Sequence, residues 1–167
     1  MIEDIGIRAL AESLVATLGD AGKTITTAES CTGGWIAKAI TDIPGSSAAF
    51  AYGLVSYSNA AKESLLGVQN PTLIENGAVS EAVVTEMATG ALQLSGADIA
   101  VAVSGIAGPD GGTDEKPVGT TCFSWAVRGQ SEVSADSESQ RFDGNRNEVR
   151  VQTVAHALRG ALDRVIS

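Results

Sequence analysis

Cysteine is scarce in this 167-residue chain, which has only Cys31 and Cys122. Two thiols build no disulfide framework, so the chain reads as a protein of the reducing cytoplasm rather than a stapled secreted fold. Basic residues are outnumbered: 11 Lys and Arg face 20 Asp and Glu, for a net charge of −9, and no basic cluster stands out. Nucleic acid is therefore not an expected partner, because neutralising phosphates needs a cationic surface. No apolar run reaches the roughly 18–20 residues of a membrane span, so no membrane partner is expected. The opening "MIEDIGIRAL" is acidic and amphipathic, without the basic and apolar regions of a secretory leader. Histidine is nearly absent, and the single His156 sits between alanines near the apolar stripe of a C-terminal helix. It reads as a packed or solvent-edge residue, which argues against a Ser–His–Asp triad. Aromatics make up only 4% of the residues.

What is present instead is small and aliphatic. Hydrophobic residues account for 44%, charged residues for 19%, and there are 19 glycines. That is a globular balance, with tight helix–sheet packing and loops that approach a neighbour or ligand closely. With no linker or repeat, one domain over 1–167 is expected. Apolar spacing predicts a helix over 3–18 (Ile5, Ile7, Leu10, Leu14 and Leu18) and another over 32–43, stopped by Pro44-Gly45. Further helices are predicted after Ser58 or Asn59, ending at Gly67, after Ser80, and over 146–165. β-branched or unbroken small apolar runs predict strands at 23–28, 49–58, 98–105 and 118–127, and polar alternation an edge strand at 132–142. The order implies an α/β fold, a three-layer α/β/α sandwich around a mixed sheet.

The stretch "TAESCTGG" sets Ser30 and Cys31 side by side where a strand passes into a helix. Ser30 or Thr32 can be a plain helix cap there. Alternatively Ser30 is a nucleophile, with backbone N–H groups around Thr32, Gly33 and Gly34 as oxyanion donors at the helix start. Cys31 is the rival nucleophile, against a reading as a small buried hydrophobe. Without a nearby histidine, a serine needs another base. Lys62 fits, lying early in a short helix where the dipole disfavours a cation, with Tyr57 five residues earlier to orient or relay the proton; a surface lysine is the plainer reading. The loop "SGIAGPDGGTDEKPVGT" at 104–120 holds five glycines past the most buried strand, either an ordinary long loop or a ligand cradle.

"TAESCTGG" at 27–34, "GLVSYSNAAKESLLGV" at 53–68, "GAVSEAVVTEMATGAL" at 77–92, "AVAVSGIAGPDGGTDEKPVGT" at 100–120 and "FDGNRNEVRVQTVAHAL" at 142–158 together resemble the CinA C-terminal domain family. The resemblance spans nearly the whole chain. It implies a serine amidase that converts nicotinamide mononucleotide to the acid and ammonia through an acyl-enzyme, with no metal or other cofactor. It places the nucleophile on Ser30, the base on Lys62 and the tyrosine on Tyr57. Ser104, Gly105, Ala107 and Gly108 would line the nucleotide site with Thr32, Gly33 and Gly34. Arg146 is the candidate for the 5′-phosphate, its guanidinium suiting phosphate geometry, against a surface arginine opening the last helix. A homo-oligomer is also implied. Two departures stand out: Asn145 replaces the aspartate of many relatives, and the N-terminal pyrophosphatase-like domain of larger relatives has no room here, so its activity is not expected. The competing readings are a nucleotide- or phosphate-binding domain without catalysis and a thiol enzyme using Cys31.

Overall fold

The computed structural model describes residues 2–167, with side chains from residue 6 onward, so the Ile5 side chain lies outside the described residues. Five strands are formed: β1 (Ile25–Glu29), β2 (Leu54–Val55), β3 (Ile99–Gly105), β4 (Thr120–Arg128) and β5 (Val133–Arg141). They join in one sheet in the order β2-β1-β3-β4-β5. β1 runs parallel to β2 and β3, whereas β4 is antiparallel to both its neighbours, β3 and β5, so the sheet is mixed. Six helices cover it: α1 (Ile2–Ala21), α2 (Trp35–Thr41), α3 (Asn59–Leu66), α4 (Asn70–Asn76), α5 (Glu81–Ser95) and α6 (Arg146–Ile166).

The two faces differ in side-chain size, and β3 shows why. Its alternating run "IAVAV" sends Val101 and Val103 to one side and Ala100 and Ala102 to the other, as the two-residue period of a strand requires. The valine face meets α1, α2 and α6 through Leu14, Ile36, Ile40 and Leu158. The alanine face meets α3, α4 and α5 through Leu66, Leu73, Val84 and Met87. Small residues allow close approach there: a Cβ on Gly90 of α5 would lie 1.8 Å from the Leu66 carbonyl oxygen. The expected three-layer α/β/α sandwich is the observed architecture.

Three elements depart from expectation. The helix predicted over 32–43 is the shorter α2, because Gly33 and Gly34 take φ of 61° and 96°, left-handed values that break its first turn. The strand predicted over 49–58 pairs only at Leu54 and Val55, with one isolated bridge from Phe50 to Ile25. Helix α4 was not expected; it is a seven-residue piece with Pro71 near its start, ended by Gly77.

The connections place the site. From β1 the chain crosses through α2 on one face to reach β2, then returns through α3–α5 on the other face to β3. The first crossover leaves the carboxyl end of β1 over one face and the second leaves that of its neighbour β2 over the other, which opens a crevice there.

Candidate active site

Ser30 follows the last residue of β1 and is 7% exposed, its N–H bonded to the Val103 carbonyl of β3 at 3.1 Å. Lys62 reaches it from α3, a helix capped by the Ser58 hydroxyl, which accepts from the Ala61 N–H. The Lys62 amine is buried, and its Nζ lies 3.0 Å from Ser30 Oγ, 2.7 Å from the Ser56 carbonyl and 3.2 Å from the Tyr57 carbonyl. A neutral amine has two N–H groups and one lone pair, so it can serve both carbonyls and still accept the serine proton. Burial pushes the Lys62 pKa below its ordinary 10.5, towards that neutral form. A Cys31 thiolate would oppose the shift, but burial lifts the Cys31 thiol to about 12 and keeps it protonated.

Ser30, Lys62, Tyr57, Ser104, Gly105, Ala107 and Arg146 come together around a cleft of about 200 Å³. Cys31, Ala78 and Val79 complete it, the last two from the turn before α5, which no local signal in the sequence marks as a ligand wall. Arg146 opens α6, donating from Nη1 to the Gly108 carbonyl at 2.8 Å. Among the described residues no carboxylate pairs with Arg146. Asn145 caps α6 with a neutral side chain: its oxygen accepts from the Asn147 and Glu148 N–H groups, and the Glu148 carboxylate accepts from the Asn145 N–H.

Other expected residues are placed differently. Tyr57 meets Lys62 through its backbone carbonyl; its hydroxyl lies 3.5 Å from Arg146 Nη2, and the residue is 64% exposed at the mouth. No hydrogen bond joins the tyrosine hydroxyl to Ser30 or Lys62, which leaves the expected proton relay without a geometric basis. Thr32, Gly33, Gly34 and Gly108 stand outside the cleft lining. At the start of α2 the reason lies in Glu29, which is fully buried and accepts from Thr32 Oγ1 at 2.6 Å, the Ile36 N–H at 2.8 Å and the Ala37 N–H at 2.9 Å. A carboxylate of the protein itself thus occupies the positive end of α2. The Gly33 N–H is spent on the Ser30 carbonyl. Among the described residues, the Cys31 and Ala107 amides donate to no backbone carbonyl.

A strand-end cleft in an open mixed α/β sheet, pairing a serine with a buried lysine, is a ligand site equipped for acyl chemistry. Residues 7–165 match the family model of the CinA C-terminal domain, and the chain belongs to that family. It is 53% identical over 156 residues to nicotinamide-nucleotide amidohydrolase PncC of Escherichia coli (strain K12), covering 93% of this chain and 92% of that one. The protein of the same name from Enterobacter agglomerans is 55% identical over 157 residues, covering 94% of each. A solved CinA superfamily protein from Klebsiella pneumoniae superposes with a TM-score of 0.90 at 41% identity, covering 96% of this chain and 98% of that one.

Proposed function

We propose that the chain is a nicotinamide-nucleotide amidohydrolase that converts nicotinamide mononucleotide and water to nicotinate mononucleotide and ammonia through an acyl-enzyme on Ser30. The substrate class follows from the relatives named for that activity. The observation that carries the mechanism is the buried Lys62 amine 3.0 Å from Ser30 Oγ, with two carbonyls to occupy its N–H groups.

Neutral Lys62 takes the Ser30 proton as Oγ bonds to the carboxamide carbon. The tetrahedral oxyanion is held by the Cys31 and Ala107 amides, each such donor contributing roughly 3–4 kcal/mol to the transition state. Lys62 then gives its proton to the amide nitrogen, the C–N bond breaks and ammonia leaves. Water, deprotonated by Lys62, attacks the acyl carbon, and the returning proton restores Ser30. Arg146 receives the 5′-phosphate at the mouth, where the exposed Tyr57 ring closes over the nucleotide. The protonated Cys31 thiol packs beside Ser30 and takes no part.

Ammonia release from nicotinamide mononucleotide tests the reading. Wild-type protein releases it, and Ser30→Ala and Lys62→Ala each fall by on the order of 10³-fold or more while remaining folded. Undiminished release by Ser30→Ala rejects the serine as nucleophile.

A further inference from the structure

The turn that carries Ser30 has little regular structure of its own. Between the end of β1 and the start of α2 the chain passes through two left-handed glycines, Gly33 and Gly34. Glu29 ties this turn to α2 from the strand side. On the other side, among the described residues, the hydrogen bonds to its carbonyls from α6 come from Arg150. The Arg150 guanidinium donates from Nε to the Cys31 carbonyl at 3.1 Å and from Nη2 to the Thr32 carbonyl at 3.0 Å. Its carbon lies 5.3 Å from the centre of the Trp35 ring, a cation–π distance, so the fork is stacked as well as bonded. Gly33 lies under the same fork: a Cβ there would be 3.6 Å from Arg150 Nη2.

Two consecutive carbonyls turned to one guanidinium fix two peptide planes. In a trans peptide the N–H points opposite to the C=O, so the Thr32 and Gly33 amides are both directed away from α6. The Gly33 amide lands on the Ser30 carbonyl at 3.1 Å. Arg150 thereby sets the peptide that precedes Cys31 and, with it, the direction of the Ser30 side chain towards Lys62. A lysine could not substitute, since its single nitrogen lacks the planar fork that meets both carbonyls.

We infer that Arg150 is a positioning residue for the amidase reaction, acting through the Ser30–Gly34 turn and not on the substrate. The inference rests on the amidase reading above. Arg146, one helical turn earlier, faces the cleft, whereas Arg150 faces the turn behind it, so these two arginines of α6 divide the work between substrate and nucleophile.

The experiment is steady-state ammonia release by wild type, Arg150→Ala, Arg150→Lys, Arg146→Ala and the exposed control Arg159→Ala, with a crystal structure of Arg150→Ala. Arg150→Ala is expected to lose kcat by on the order of 10²-fold with KM within about threefold, the scale of a nucleophile displaced by about an ångström. Millimolar guanidinium should restore part of that loss and ammonium should not; Arg150→Lys should stay impaired. Arg146→Ala should instead raise KM, and Arg159→Ala should match wild type. An Arg150→Ala enzyme with unchanged kcat, or with loss confined to KM, overturns the inference. If the wild type itself releases no ammonia, the functional reading has failed, and the crystal structure decides alone. A turn left in place, with Ser30 still within about 3.5 Å of Lys62, overturns the clamp; a reoriented Cys31–Thr32 peptide upholds it.

Discussion

In the proposed mechanism Lys62 acts as a neutral amine, the form that burial favours, and the rate should show it. Turnover needs the unprotonated amine, so kcat for ammonia release should climb with pH and level off once Lys62 has lost its proton. Because burial lowers the Lys62 pKa from 10.5, the climb should lie at lower pH than a free lysine would give. Lys62→Arg, a cation at any usable pH, should show no such plateau. A wild-type profile that rises only in the range of free lysine contradicts a desolvated base. Linkage gives the same sign for stability: the unfolded chain holds the proton at pH values where the folded chain has released it, so the Lys62 contribution improves as pH rises. Ser30 and Lys62 could be picked out in the sequence because each has a local signal, Ser30 a strand run ending before a glycine pair and Lys62 a place early in a capped helix. Glu29 and Arg150 could not, since their partners are set by the fold; Arg150 bonds the Cys31 carbonyl from 119 positions away.

Among the elements, α3 carries the proposed base, and it packs closely against α5. Gly90 presses against the Leu66 carbonyl so tightly that any Cβ must push α3 outward. Gly90→Ala should therefore lose about 1–3 kcal/mol in denaturant unfolding and lose kcat with it, because Lys62 moves with the helix. Full activity in a destabilised Gly90→Ala would mean that α3 is held by other contacts. The long elements announced themselves by apolar period, as in α1, α5 and α6, or by an unbroken buried run, as in β3. The short ones did not. Seven residues are too few for a period to register in α4, and two are too few in β2, which follows Gly53, where a Cβ would lie 2.1 Å from Thr27 Oγ1.

At the scale of the whole molecule, the outer strand β5 is fastened to α6 as well as to β4. His156 of α6 pairs with Glu138 of β5, under an aromatic group of Phe123, Trp125 and Phe142. That hydrogen bond holds the Glu138 carboxyl below its ordinary 4.5. A depressed carboxyl stabilises the fold above the unfolded pKa and loses that contribution as pH falls through the folded one. Thermal melts should accordingly show stability dropping below about pH 4.5, and Glu138→Gln should be less stable at neutral pH with a shallower acid decline. Identical acid declines in the two proteins would detach the pair from this behaviour. The mixed sheet was legible because buried, half-buried and polar strand runs differ in composition; which face each helix covers was not, as that depends on handed crossovers. One consequence concerns the order of synthesis. Helix α6 packs beside α1, from which it is separated by every other element in chain order. On the ribosome, the part of the valine face that α6 covers stays open until α6 emerges, and both arginines of the site arrive with it. A nascent chain therefore already carries the serine and the lysine, yet no finished centre until translation has passed α6.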